Sequence, residues 1–270
     1  TDVVECTGAC DLFISEYAEG GSYNKYIEIA NFTGADVSLV DYALAYNSNA
    51  PTTVGEYEQW FSLGNASSTL ANGDVHVLCN PSSAAEILAR CDTETSSINH
   101  NGDDPYKLVK GDETSFVVVD GVGDFQGDPG SGWDVCGTTN GTQDHTLVKK
   151  EGKEGNADWT TSRGTTAEDC DWIVAVKDAF LLTDWDGLGS HCYDSSNDAV
   201  TFTSDATFSV AENTTAVGTV AASVAGCISS ETVTMVLSGA DAALFTIDAA
   251  GALAFAAAPD FEVTGSASGT

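Results

Sequence analysis

A histidine held beside a carboxylate is the first chemistry to look for, because such pairs carry out general acid–base catalysis. Asp144-His145 is the only place in the chain where an acidic residue adjoins a histidine. Neighbouring residues of a strand point to opposite faces, so these two side chains are not expected to meet. Neither a Gly-x-Ser-x-Gly nucleophile elbow nor a His-x-x-x-His pair accompanies them. We therefore predict that the chain is not an enzyme and that its histidines are structural: His76, His100, His145 and His191.

Cysteine is the second candidate for chemistry, and the chain has eight. Cys6 and Cys10 are four residues apart, a spacing compatible with metal or redox work, but no second such pair and no βαβ pattern accompanies them. Disulfides in an oxidising compartment are the better interpretation.

Sequence does not fix connectivity among eight cysteines, but position favours some pairs. A Cys79–Cys91 bridge would tie a short helical excursion to its strand, and a loop of that length contributes about 2–3 kcal/mol on the chain-entropy model. The other expectations are Cys136 with Cys170, Cys192 with Cys10 or instead with Cys6, and Cys227 alone in the last part of the chain.

Glycan acceptor sites support a secreted, extracellular or cell-surface location. The Asn-x-Ser/Thr sequons begin at Asn31, Asn65, Asn140 and Asn213. No apolar stretch approaches the roughly 20 residues of a membrane span, so membrane insertion is not expected.

The charge of the chain limits the classes of molecule that it is expected to bind. The chain has 41 Asp and Glu against 9 Lys and Arg, a formal net charge of −32. That charge argues against binding to nucleic acid or to an anionic membrane, because both would be repelled. Cations are the ions that such a chain is expected to attract.

Three further sets of residues are weak candidates for metal or sugar binding. Asp184-Trp185-Asp186-Gly187 begins like a calcium loop, but it lacks the third acid and the Glu at the twelfth position, so a capped turn is predicted. We expect turn-forming roles for Asp103, Asp104, Asp120, Asp124, Asp128 and Asp134, and core or rim positions, rather than sugar stacking, for Trp133, Trp159, Trp172 and Trp185.

The elements that would position these residues are short strands. From Asp11 to Leu44, alternating apolar runs are broken at Gly20-Gly21 and at Thr33-Gly34-Ala35-Asp36, which predicts three strands with one apolar face. One short helix is predicted over Ser82–Arg90, capped by Ser82 or Ser83. Further strands are expected up to Val176, and such spacing is typical of a sandwich or barrel.

Five ordered blocks in this region resemble the lamin-tail domain of secreted microbial proteins. The first is Ser15-Glu16-Tyr17 with Asn24-Lys25-Tyr26-Ile27-Glu28-Ile29-Ala30-Asn31, and the later ones are Gly102 to Val109, Val119 to Gly123 with Asp128 to Trp133, Asp144 to Lys150, and Leu188 to His191. The resemblance implies an immunoglobulin-like β sandwich that serves as a structural or binding module and not as a catalyst.

Composition changes after Cys192 from aromatic and cysteine-rich to Ala, Thr, Ser and Val, so we predict domains at residues 1–193 and 194–270. Asn197 to Val220 and Leu244 to Glu262 resemble part of a cadherin repeat, although Ala199 and Thr201 replace the usual linker Asn and Pro. The fold expected is all-β, with a lamin-tail-type sandwich joined to a second, incomplete cadherin-like sandwich. Carried over by motif position, the calcium ligands at the junction would be Asn197, Asp198, Glu212, Asp260 and Glu262.

These observations favour an extracellular, non-catalytic structural or adhesion protein with calcium as cofactor. Its partners would be other copies of itself, as in a cell-surface polymer or filament, or other extracellular proteins. Two alternatives stay open: the accessory region of a longer secreted hydrolase, such as a nuclease or phosphatase, and a carbohydrate-binding module.

Overall fold

Most of the regular structure is β-strand. The computed structural model describes residues 9–182, 187–193, 200–205, 207–211, 213–224 and 235–259. The chain divides into two compact units, Thr1–Ser195 and Ser196–Thr270. The elements of the first unit are β1 (Phe13–Glu19), β2 (Lys25–Asn31), β3 (Val37–Ser38), β4 (Tyr42–Tyr46), β5 (Gln59–Ser62), β6 (Thr69–Leu70), β7 (Asp74–Cys79), α1 (Ala85–Leu88), β8 (Thr93–Glu94), β9 (Tyr106–Asp112), β10 (Ser115–Val122), β11 (His145–Lys149), α2 (Trp159–Arg163) and β12 (Trp172–Val176).

Two sheets form the sandwich of the first unit. The larger has six strands in the order β12-β11-β1-β2-β7-β8, and the smaller has four in the order β10-β9-β4-β5. Neighbouring strands in both sheets are antiparallel except β7 and β8, which are parallel. The layer between the sheets is apolar and includes Ile14, Tyr17, Ile27, Leu44 and Leu108.

The larger sheet is buried on both of its faces. Every residue of β1 and β2 is buried, including the polar ones. Phe13, Tyr26 and Val77 belong to a second apolar cluster, which also contains Ile87 of α1 and Leu188. The alternation in the sequence predicts one apolar face, whereas here α1 and the segment at residues 187–193 cover the other.

The short helices differ from the sequence expectation. The helix predicted over Ser82–Arg90 is confined to α1, and no side chain of its own caps it. Ser83 instead donates to the carbonyl of Tyr23 at 2.7 Å, and the Asn24 side chain accepts from the Ala84 amide at 2.9 Å. The helix start is therefore fixed by the turn between β1 and β2, which local sequence does not reveal.

A second helix, α2, lies between β11 and β12. The side chain of Asp158 accepts from the Thr160 amide and caps its first turn. Gly164, with φ +55°, follows the last helical residue. The Asp158 and Gly164 signals are present in the sequence, but the helix they enclose is only 5 residues long.

Disulfides fasten the excursions from the larger sheet. Cys79 is bonded to Cys91, and Cys136 to Cys170, with Cα atoms 5.9 and 5.3 Å apart. The sequence predicts both pairs. Cys10 and Cys192 each take part in a disulfide, and the pairing of Cys192 with Cys10 or Cys6 stays a prediction. Cys6 and Cys227 lie outside the described residues.

The second unit contains short antiparallel strands. They are β13 (Val200–Phe202), β14 (Ala216–Thr219), β15 (Ala222–Val224), β16 (Phe245–Ile247) and β17 (Ala252–Phe255). β13 pairs with β15, and β14-β17-β16 form a three-stranded sheet. Across the described parts of both units, no helix has the length and apolar character that a membrane crossing requires.

An ion pair with no solvent exposure joins the two sheets of the first unit. Lys149 of β11 lies 3.0 Å from Asp120 of β10, and both side chains are 0% exposed. The same carboxylate accepts from the amides of Ile14 at 2.9 Å and Asn156 at 3.1 Å. The Lys149 ammonium also lies 3.9 Å from the centre of the Trp172 ring. Removing either charge leaves the other buried without its partner.

We expect Lys149→Met to lower the free energy of unfolding by about 3–5 kcal/mol, the usual cost of breaking a buried pair. The matched control is Lys153→Met, because Lys153 also pairs with a carboxylate, that of Asp171 at 3.0 Å, but is 47% exposed. That control should lose about 0–1 kcal/mol. Urea unfolding followed by tryptophan fluorescence measures both, and equal losses in the two variants would contradict the role given to the buried pair.

Candidate binding sites

A pocket of about 410 Å³ opens beside the ends of three strands. Lys25 from the start of β2, Tyr46 from the end of β4 and Tyr106 from the start of β9 contribute to its wall. The rest comes from the turn after β1, the loop after β4 and the segment at residues 96–104. The sandwich thus brings together residues that are far apart in sequence.

His100 is the most constrained residue of this pocket. Its ring is fully buried, stacks on Tyr17 with centroids 4.2 Å apart, and meets Tyr106 edge-on at 5.4 Å. Nε2 lies 2.7 Å from the carbonyl oxygen of Ala18. Burial lowers the pKa of His100 to about 3, so the ring is neutral at physiological pH. A neutral ring that donates from Nε2 presents Nδ1 as an acceptor.

That acceptor has no partner among the residues that the structure describes. The same is true of the hydroxyl of Tyr17, the residue stacked on His100. Buried polar atoms are nearly always hydrogen-bonded, so each of these atoms needs a partner such as a ligand or water. Of the two residues, His100 lines the pocket and Tyr17 does not.

The two charged residues of the pocket are held by contacts within the protein. The Lys25 ammonium pairs with Glu19 and donates to the carbonyl of Gly20 at 2.7 Å. The Asp104 carboxylate accepts from the amide of Asn49 at 2.6 Å and from that of Asn101 at 2.7 Å. This arrangement can hold a ligand by hydrogen bonds.

The adjacent pair Asp144-His145 does not form a catalytic relay. His145 Nδ1 hydrogen-bonds with the carbonyl of Gln143 at 2.6 Å, whereas Asp144 pairs with Lys177. The two side chains have different partners. Asp144 precedes β11 and has φ +56°, so the expected separation is found without the strand alternation that predicted it.

The outer face of the four-stranded sheet carries an aromatic patch made of Tyr57, Trp60 and Phe116. Ring centroids are 5.7 Å apart for Tyr57 and Trp60, 5.6 Å for Tyr57 and Phe116, and 5.4 Å for Trp60 and Phe116. The small residues Ala43 and Ala45, with Val109, lie beneath them in a separate apolar cluster. The three rings are only half-buried, so this apolar surface is partly open to solvent.

Two carboxylates lie on the covered face of the larger sheet. Glu16 and Glu28 are opposite each other on β1 and β2. Glu28 accepts from the Ser15 hydroxyl and from the Gly189 amide, both at 2.7 Å. Glu16 accepts from the Tyr26 hydroxyl at 2.7 Å.

Burial raises the pKa of Glu28 to about 8. Burial, and then the charge of Glu28, raise the pKa of Glu16 well above its ordinary range. Two adjacent carboxylates in this setting are protonated at neutral pH far more than exposed ones are.

The calcium ligands predicted from the cadherin-like resemblance lie outside the described residues: Asn197, Asp198, Glu212, Asp260 and Glu262. Within the described ranges, no group of three or more His, Cys, Asp or Glu side chains is placed to hold a metal ion. Asp124, Asp128 and Asp134 accept from nearby backbone amides, as turn-forming residues do. The turn-forming role expected of Asp120 is wrong, because it lies within β10 and forms a buried ion pair.

Three of the four tryptophans expected in the core or at its rim lie within the described residues. Trp133, Trp159 and Trp172 are buried and pack edge to face at 6.4 and 6.5 Å. Sugar stacking on these three rings would require opening the core. Trp185 lies outside the described residues.

The four predicted glycan acceptors differ in access. Asn31 is fully buried, and its Nδ2 donates to the carbonyls of Ala35 and Leu70, both at 2.9 Å. A glycan on that nitrogen is incompatible with the fold, so the glycan predicted at Asn31 is withdrawn. Asn65 and Asn213 are exposed, and Asn140 is half-buried.

Comparison with known protein families gives a match over part of the sandwich. Residues 7–125 match the family model of the Lamin Tail Domain. This domain has an immunoglobulin-like, non-catalytic fold that is often structural or protein-interacting. The match covers β1 to β10, whereas the lamin-tail resemblance noted in the sequence extends to His191. No curated protein and no solved structure matches the chain. The cadherin-like character of the second unit stays a prediction.

The Glu28 environment predicts how stability depends on pH. The folded-state pKa is about 8 and the ordinary value is 4.5, so the folded protein retains a proton that the unfolded chain releases between these values. The stabilisation is therefore fully present below pH 4.5 and is lost as the pH rises to about 8.

We expect Glu28→Gln, which has the same shape without the charge, to flatten the fall in melting temperature across this pH range. The exposed Glu86→Gln should retain the dependence of the unmodified chain. Thermal unfolding at a series of pH values tests this, and parallel profiles for the two variants would contradict it.

Proposed function

We propose that the chain is an extracellular, non-catalytic adhesion or structural module that binds basic partner proteins through the aromatic patch of Tyr57, Trp60 and Phe116. The partly open patch on a sheet face is the observation that carries this proposal. The disulfides support an extracellular setting.

The geometry of the patch suits a protein contact. Aromatic side chains provide a large contact area at a low entropic cost, and tryptophan and tyrosine are enriched among residues that dominate binding energy. The rings rest on a flat base of Ala43, Ala45 and Val109, and the Tyr57 hydroxyl donates to the carbonyl of Glu113 at 3.1 Å. That hydrogen bond and the sheet beneath hold the patch in place before a partner arrives.

Charge selects the class of partner. Exposed acidic residues follow or precede the patch residues in sequence: Glu56, Glu58, Asp112 and Glu113. With a net charge of −32, a second copy of the chain approaches against repulsion, while a basic protein is attracted. A partner with lysine or arginine around apolar anchors therefore fits this face better than another copy does.

A synthetic peptide of alternating lysine and leucine is a suitable probe of the full chain, with a glutamate–leucine peptide and a lysine-only peptide as controls. We expect only the lysine–leucine peptide to bind well. Trp60→Ala should weaken that binding about tenfold or more, as loss of a central aromatic contact does. The matched control Ile173→Ala removes an exposed apolar side chain, 52% exposed, from β12 instead.

Charge reversal tests the same face without removing an apolar contact. Glu113→Lys should weaken the peptide more than Glu86→Lys does, and the difference should shrink at high salt. Equal effects of the two reversals, or equal binding of the acidic peptide, would refute the proposal. Concentration-dependent dimers of the chain alone, lost in Trp60→Ala, would assign the patch to a second copy.

Calcium binding by the cadherin-like residues is part of the proposed structural role. We expect EDTA to lower the melting temperature of the full chain and calcium to restore it, because a ligand that binds only the folded state stabilises it by mass action. Glu212→Gln should reduce this response, and Glu168→Gln should not. A melting temperature that is the same in EDTA and in millimolar calcium would rule out the calcium role.

A further inference from the structure

We propose that the pocket lined by His100, Tyr46 and Tyr106 binds a neutral saccharide. This inference goes beyond the proposed protein contact, and it does not depend on the aromatic patch of Tyr57, Trp60 and Phe116. It also differs from sugar stacking on tryptophan, because Trp133, Trp159 and Trp172 are core residues.

The unpartnered acceptor of His100 is the first reason. Nδ1 is fully buried, and the Nε2 contact with Ala18 fixes the ring so that Nδ1 cannot take over that bond. An acceptor left without a donor in such a setting costs free energy. A hydroxyl group can donate to it and still accept from other groups.

The rest of the lining is chemically matched to hydroxyl groups. Short polar side chains that both donate and accept surround the pocket: Ser22, Ser48, Asn49, Ser96, Asn99 and Asn101. Asp104 and Lys25, the charged residues, already have partners within the protein. The Lys25 ammonium is already paired with Glu19, so an anionic ligand would meet no free cation, whereas a neutral polyol would meet many hydrogen-bonding groups.

The aromatic surface of Tyr46 and Tyr106 favours a saccharide over other neutral polyols. Tyr46 and Tyr106 stack almost in parallel, with centroids 5.2 Å apart and an interplanar angle of 7°. Tyr106 is buried and held by a hydrogen bond from its hydroxyl to the carbonyl of Ser97, while Tyr46 is half-buried. A pyranose ring has an apolar C–H face that packs on such a surface, and flexible linear polyols have none. The volume of 410 Å³ falls within the range of about 300–1,000 Å³ usual for small-molecule pockets.

The experiment titrates the full chain with methyl glycosides and disaccharides of glucose, galactose and mannose, with glucuronic acid and glucosamine as charged controls. The readout is the side-chain ¹⁵N resonances of His100, since a new hydrogen bond to Nδ1 shifts that resonance directly. We expect at least one neutral saccharide to shift it, glucuronic acid to bind at least tenfold more weakly, and glucosamine to bind no more tightly than neutral glucose. A competition between free saccharides and the same saccharides immobilised on a surface distinguishes a free sugar from the end of an attached glycan.

Substitutions distinguish a loss of saccharide binding in the pocket from a loss of folding. Ser48→Trp, which adds bulk at an exposed lining position, and Tyr46→Ala should each abolish the shift, while Tyr46→Phe retains it. Tyr23→Ala is the matched control, because Tyr23 is 52% exposed and does not line the pocket. Glu113→Lys, which tests the protein contact, should leave saccharide binding unchanged.

An unmoved His100 resonance at saturating saccharide would overturn the inference and assign the acceptor to an ordered water. Equal binding by Ser48→Trp and the unmodified chain would likewise overturn it. Failure of the lysine–leucine peptide to bind would leave this result intact, so the two proposals fail separately.

Discussion

The contact between Asp120 and Lys149 is the constraint on which the first unit depends. A carboxylate in the layer between two sheets is tolerated only if its oxygens are satisfied, and here they accept from Lys149 and from the amides of Ile14, Gly121 and Asn156. The residues of β1 that pair with β11 are Glu16 to Ala18. Ile14 precedes this paired segment, and its amide donates a hydrogen bond to the Asp120 carboxylate instead. One side chain thus completes the hydrogen bonding of the opposite sheet and sets the position of the two sheets relative to each other.

This contact also explains why the sandwich extends beyond the lamin-tail match. Asp120 lies inside the matched residues 7–125, but Lys149 lies outside them. β11 and β12 pair along the free side of β1, and the segment at residues 187–193 covers the other face through the Gly189 amide and Leu188. Without these later elements, Glu16 and Glu28 would be at the surface, where their pKa values would not be raised.

Sequence predicts the parts of this fold that depend on local pattern. The strands β1 and β2 and the Cys79–Cys91 excursion follow from alternation and spacing. The third strand expected before Leu44 is instead divided into β3 and β4, and β4 belongs to the smaller sheet. The helix cap at Ala84 does not, because its acceptor is Asn24, 60 residues away in the turn after β1. Local sequence does not reveal the pocket for the same reason. His100 looks like an ordinary loop histidine until β1 supplies Ala18 and Tyr17, and β9 supplies Tyr106. Local residues give no sign of that convergence.

The distribution of charge decides which surfaces are free to bind. A chain with a net charge of −32 has strong self-repulsion, yet its interior contains matched or neutral groups: Lys25 with Glu19, Lys149 with Asp120, and a neutral His100. The excess negative charge therefore lies on the surface, where Glu56, Glu58, Asp112 and Glu113 flank the patch residues in sequence. Long-range attraction of basic molecules favours the patch, and the pocket contributes only short-range hydrogen bonding and packing. The two sites are thus suited to different ligands, because the patch is aromatic and flanked by acidic residues, whereas short polar side chains line most of the pocket.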